Sequence, residues 1–94
     1  MKLGDLKHGS TWVVGIQGFG GALFIRPLTP RESPYSRFPW RWTGSLLQAS
    51  TFASREDAER LRNDARFGVF LADTTPQAEI PRVRALKVEL RVGT

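Results

Sequence analysis

TWVVGIQGFGGALFIR, residues 11–26, decides the fold. Trp12, Val14 and Ile16 alternate with Thr11, Val13 and Gly15, the period of two that a strand imposes because successive side chains leave opposite faces of the backbone. Gly18-Phe19-Gly20-Gly21 reverses the chain and Ala22 to Arg26 returns as a second strand, so the stretch predicts a glycine-turned hairpin. The run GIQGFGG is not a phosphate loop. A Walker loop needs Lys-Ser/Thr after its last glycine and a dinucleotide fingerprint needs a helix next, whereas Ala22-Leu23-Phe24-Ile25 is strand-like. Phe19 at the tip fits an exposed anchor and a residue packed on the neighbouring loop equally well. Both faces of the hairpin are apolar, and one helix covers only one of them; the other needs the long loop, a second copy or a partner.

Downstream, Pro27 and Pro30 end the second strand, Trp42 to Ser50 is expected as a third, and Ser54-Arg55-Glu56-Asp57 resembles a capping box with Asp in the usual Glu position. Ala58, Leu61 and Ala65 then form one apolar stripe, and Gly68 is placed to end a helix running from about Arg55 to Phe67. Val69 to Ala72 fits a short edge strand, and residues 73–81 form a polar loop closed by proline. From Arg82 onward Leu86, Val88, Leu90 and Val92 alternate with Ala85, Lys87, Glu89 and Arg91, a strand with one wet face. The expected architecture is one α+β domain over residues 1–94: an antiparallel sheet of three to five strands with one helix packed on one face, in the order β-β-β-α-β.

Composition narrows function. The chain has 94 residues and no cysteine, which leaves no disulfide framework or thiolate metal site and fits a reducing, cytoplasmic setting or a chain indifferent to redox state. The segment MKLGDLKHGSTW has neither the apolar run of a signal peptide nor that of a membrane span. His8 is the only histidine and has no spaced ligand partners, so no metal and no cofactor are expected. Glu56, Asp57 and Glu59 sit where carboxylates favour the positive end of a helix, and no nucleophile-base-orienter set can be assembled; the expectation is a protein that is not an enzyme. Net charge is +5, which favours anionic partners; eleven of the fourteen cations are arginine, which fits the codon bias of a GC-rich genome and planar, forked recognition of carboxylate or phosphate equally well.

The candidate contact surface is RPLTPRESPYSRFPWRWTG, residues 26–44, with four prolines, four arginines and four aromatic residues. Long loops in compact domains are usually functional or disordered, and aromatic plus Arg chemistry is what interfaces concentrate. Arg31, Tyr35, Arg37, Phe38, Trp40 and Arg41 are the candidate partner-binding residues. They suit a protein contact, or a single-stranded nucleic acid with bases on the rings and phosphates on the guanidiniums. Trp40 and Trp42 share a face in strand alternation, which equally suits the core. On a single long helix Arg55, Arg62 and Arg66 fall on one flank beside Glu59, a secondary candidate surface that also fits a solvated face laced with pairs such as Glu56 to Arg60.

The stretch RWTGSLLQASTFASREDAERLRNDARFG, residues 41–68, resembles small phage and prophage accessory proteins that carry a Trp, a short strand and an Ala-x-x-Phe-x-Ser-x-x-Asp/Glu-Ala helix start, here Ala49, Phe52, Ser54, Asp57 and Ala58. Proteins of this size and layout include anti-CRISPR inhibitors. No motif of one inhibitor family is present, and the basic charge departs from the acidic, DNA-mimicking members. The resemblance implies a non-enzymatic, phage-type protein that occludes a host protein complex such as a CRISPR effector in the host cytoplasm, through an acidic or mixed surface or through guide RNA or DNA within it. A nucleic-acid-binding module and a virion structural or assembly protein are the alternatives. A homodimer is expected from the surplus apolar face, and no membrane partner.

Overall fold

The computed structural model describes residues 9–18 and 21–90. The Phe19 tip, His8 and the Arg91 and Val92 end of the last strand lie outside the described residues. Strands β1 (Gly9–Gly18), β2 (Gly21–Pro27), β3 (Trp40–Thr43) and β4 (Arg84–Leu90) form one antiparallel sheet in the order β3-β2-β1-β4. Helices α1 (Arg55–Arg62) and α2 (Ala65–Thr74) and a 3-10 helix, Gln77–Arg82, lie between β3 and β4 in the chain.

The expected β-β-β-α-β plan with one helix is therefore corrected: three helices, not one, pack against the sheet. The expected helix starts where predicted, with Ser54 Oγ accepting from the Asp57 N–H at 3.1 Å. It stops at Arg62. Asp64 opens a second helix by accepting from the N–H groups of Arg66 and Phe67 at 2.9 and 3.1 Å, and Phe67, Phe70 and Leu71 then fall on one buried stripe. Gly68 is inside α2 and ends nothing, and the edge strand expected at Val69 to Ala72 is helix.

The third strand is also corrected. It covers only Trp40–Thr43, and the chain continues through a 3-10 turn, Leu46–Gln48. Beyond that turn the segment Ser50 to Phe52 wedges between β1 and β2 where they diverge. Ser50 N–H donates to the Ile25 carbonyl at 2.8 Å, Trp12 and Phe52 exchange both main-chain bonds at 3.1 and 2.8 Å, and Thr11 Oγ1 donates to the Phe52 carbonyl at 3.0 Å. This short segment satisfies backbone groups that the splayed strands would otherwise leave unpaired.

The core is double. On the helix face Val14, Ile16, Ile25 and Val83 pack with Phe38, Ala58, Phe67, Phe70 and Leu71. On the opposite face Val13, Phe24 and Ala49 form a smaller cluster flanked by Ala22, Leu46, Leu86 and Val88. The alternation of β4 is as expected, but its apolar row lies away from the helices: register sets Leu86 beside Val13 and Lys87 beside Trp12. No helix among the described residues is long and apolar enough to cross a membrane.

Candidate functional site: the stapled arginine loop

The loop between β2 and β3 is organised by a residue the sequence reading passed over, Glu32. Arg26 and Arg41 are directly opposed across the β2–β3 ladder, a like-charge pairing that is unfavourable by itself. Glu32, the only acid in residues 26–44, neutralises both. It accepts from the two terminal nitrogens of Arg26 at 2.7 Å each, and Arg41 Nη1 lies 3.1 Å from its Oε2. A forked guanidinium on a carboxylate fixes orientation as well as distance. Thr29 N–H donates to Glu32 Oε1 at 3.0 Å, and Glu32 and Ser33 N–H groups donate back to the Thr29 carbonyl at 3.0 and 3.1 Å. Hydrogen bonds from Arg26 and then from Thr29 hold the Glu32 carboxyl well below the usual carboxylate range, and the same contact to Glu32 raises the Arg26 guanidinium. The signal available in the sequence was a lone carboxylate between two arginines that close a strand pair.

Behind the staple the aromatic residues turn inward. Phe38 is buried and meets Phe70 edge-on, with ring centres 5.5 Å apart. Trp40 is half-buried and packs on Phe67 at 5.1 Å and Phe70 at 5.7 Å, and Trp42 stacks on Phe70 at 5.9 Å while its Nε1 donates to Thr74 Oγ1 at 3.0 Å. Offset and edge-on arrangements of this kind are what ring quadrupoles favour. Phe38, Trp40 and Trp42 thus anchor the loop to α2.

What remains outside is Tyr35, 86% exposed at the end of a 3-10 turn (Ser33–Tyr35), with exposed Arg31 and Arg37 on either side in the chain. The Arg37 guanidinium lies 5.3 Å from the Phe38 ring centre, and Arg66, at the start of α2, reaches the Arg37 carbonyl at 3.5 Å. Among the described residues none of Arg31, Arg37 and Arg66 has an acidic partner within 4.0 Å. Next to them a shallow groove of about 480 Å3 is floored by Pro39, Trp40 and Leu61 and rimmed by Asp57, Arg60, Asp64 and Arg66.

The single long helix on which Arg55, Arg62 and Arg66 share a flank is broken at Asn63, and the three arginines make different contacts. Arg55 pairs with Glu59 at 2.8 Å and lies 6.0 Å from the Trp12 ring centre. Arg62 donates to the carbonyls of Val83 and Ile80 at 2.7 and 3.0 Å, tying α1 to the entry of β4. Arg66 belongs to the loop cluster. Arg60 pairs with Asp57 at 3.7 Å instead of Glu56.

A second groove, about 550 Å3, runs between the hairpin and the end of α2, lined by Ile16, Leu23, Trp42 and Pro76 with the Glu79–Arg82 pair at one side. Among the described residues no group of His, Cys, Asp and Glu is placed to hold a metal ion. No family model, no curated protein and no solved structure matches this chain.

Proposed function

We propose that this chain is a non-catalytic binding module that presents Arg31, Tyr35, Arg37 and the adjacent Arg66 to an acidic protein surface. The observation that carries this reading is an 86% exposed tyrosine on a loop whose backbone is fixed by the Arg26–Glu32–Arg41 staple, beside guanidiniums without acidic partners among the described residues. A fixed loop loses little entropy on binding, and Tyr and Arg are prominent among interface anchors. Nucleic acid is the less favoured partner: single-strand binders stack successive bases on several exposed rings, and three of the four rings of this loop are committed to α2. The resemblance over residues 41–68 supports a phage accessory role, in which the acidic surface belongs to a host defence complex and the module acts by occlusion.

A photo-reactive side chain placed at position 35, with position 56 on exposed α1 as control, tests the proposal in bacterial lysate treated or not treated with nuclease. The expected result is a nuclease-resistant protein adduct from position 35 that excess unlabelled chain competes away and that Arg37→Ala and Arg66→Ala weaken. Adducts that disappear with nuclease assign the loop to nucleic acid, and equal labelling from both positions removes the site.

A further inference from the structure

We propose that the free edge of β4 binds a second copy of this chain, by antiparallel β4–β4 pairing about a two-fold axis at Val88. β4 is the edge strand next to β1, and its ladder runs through seven consecutive pairs from Gly9↔Leu90 to Gly15↔Arg84 without a bulge. Main-chain direction follows from Trp12, which commits both its N–H and its carbonyl to Phe52. In an antiparallel ladder these groups alternate in direction from residue to residue, so Thr11, Val13 and Gly15 face β4 and exchange bonds with Val88, Leu86 and Arg84. The N–H and carbonyl groups of Ala85, Lys87 and Glu89 therefore point outward. No described strand pairs with them.

Edge strands are ordinarily blunted by proline, bulges or charged side chains, lysine above all, and charges keep a second strand away only where its own charges do not complement them. The strand Arg84–Leu90 has no proline and no bulge, and its two outward-bonding charged residues carry opposite signs. The sign pattern selects the register. An axis at Lys87 sets Lys87 against Lys87 of the second copy, and an axis at Glu89 sets Glu89 against its own copy, both unfavourable. An axis at Leu86 sets Lys87 against Ala85. Only the axis at Val88 sets Lys87 against Glu89 of the second copy, twice by symmetry, at positions where both residues also have main-chain groups directed outward. Lys87 and Glu89 are 53% and 62% exposed and pair with each other within the strand only at 4.0 Å, a long contact that the two shorter pairs between copies would replace. On the other face Val88 meets Val88 of the second copy in the pair type that brings side chains closest, extending the half-buried row of Leu86 and Val88 across the axis. The arrangement is isologous, as a two-fold interface requires.

Sedimentation of the full chain tests this directly. The wild type is expected to show a monomer–dimer equilibrium. Lys87→Glu and Glu89→Lys are each expected to weaken it by about tenfold or more, because both symmetric pairs turn from attraction to repulsion. An equimolar mixture of the two variants should regain the dimer, since every cross-strand pair is then opposite in charge again. Circular dichroism checks that each variant is folded. For the register, Val88→Cys in this cysteine-free chain should cross-link to its own copy under mild oxidation, while Leu86→Cys, whose own copy lies about 14 Å away along the strand, should not. A wild type that stays monomeric at millimolar concentration, single variants that dimerise as the wild type does, a mixture that remains dissociated, or cross-linking at 86 equal to that at 88 would each overturn the proposal.

Discussion

Phe70→Ala is the substitution that best tests how the loop is held. The Phe70 ring is 2% exposed and lies between 5.5 and 5.9 Å, centre to centre, from Phe38, Trp40, Trp42 and Phe67. Truncating a buried Phe costs about 3–5 kcal/mol from lost transfer energy and the cavity left behind. With four ring neighbours, each pair contributing about 0.5–1.5 kcal/mol beyond simple burial, the upper part of that range is expected here, about 4–5 kcal/mol. A chain of 94 residues at ~0.05–0.15 kcal/mol per residue has about 5–14 kcal/mol in total, so this single change removes a third of the stability or nearly all of it. At about 4–8 °C per kcal/mol the melting temperature should fall by ~15 °C or more. Tyr35→Ala, on the exposed side of the same loop, should change stability by less than about 0.5 kcal/mol. Urea unfolding followed by tryptophan fluorescence is suited to the comparison, since Trp40 and Trp42 both touch the deleted ring. If Phe70→Ala costs under about 1.5 kcal/mol, or Tyr35→Ala costs as much, the inward and outward sides of the loop have been assigned wrongly.

Glu32→Gln should destabilise the protein at neutral pH. A folded-state pKa below the ordinary value of about 4.3 gives stability that is present above that value and lost as pH falls through the folded one, so the gap between wild type and variant in thermal melts should narrow steadily as the solution is acidified below about pH 4. Gly15→Ala should cost about 1–3 kcal/mol in chemical denaturation, because the new Cβ would lie 2.6 Å from the Leu23 carbonyl oxygen and 2.8 Å from the Phe24 ring. Gly68→Ala should instead stabilise by up to about 1 kcal/mol, since its helical position has open space around it. Arg62→Lys should lose about 1–3 kcal/mol, measured the same way, because one ammonium cannot serve both the Val83 and Ile80 carbonyls with the geometry of the guanidinium fork.

The hairpin was legible because alternation over Thr11 to Ile16 and a glycine turn are local, and the Ser54 cap because its hydrogen bond spans only three residues. The helix boundary failed for a physical reason. Glycine occurs both within helices and at their ends, so Gly68 alone does not mark a boundary, whereas Asp64, followed by Phe67, Phe70 and Leu71 at helical spacing, signals a second helix. The orientation of β4 was not legible at all: alternation tells which residues share a face, but only the pairing of Trp12 with Lys87 tells which face meets the helices. The wedge at Ser50 to Phe52 has no periodicity to read, since its pairing is with residues 25 and 12, far away in the chain. In the loop, alternation correctly allowed Trp40 and Trp42 a common face, while the role of Glu32 needed Arg26 and Arg41 to be brought together first.

The arginines divide by what a planar fork can do that an ammonium cannot. Arg26 clasps both oxygens of Glu32, Arg62 reaches two carbonyls from one head group, and Arg55 joins Glu59 while lying near the ring of Trp12; each use depends on the flat, multi-donor shape as well as on charge. Structural demand therefore accounts for part of the arginine content that composition alone assigns to an anionic partner. It does not account for Arg31, Arg37 and Arg66, which have no acidic partner within 4.0 Å among the described residues; Arg31 and Arg37 flank the exposed Tyr35 in the chain, and Arg66 reaches the Arg37 carbonyl. Positive charge that the fold itself makes little use of is the feature from which the proposed recognition is argued, and the rings of Phe38, Trp40 and Trp42, packed on α2, anchor the backbone of the long loop that carries Arg31 and Arg37.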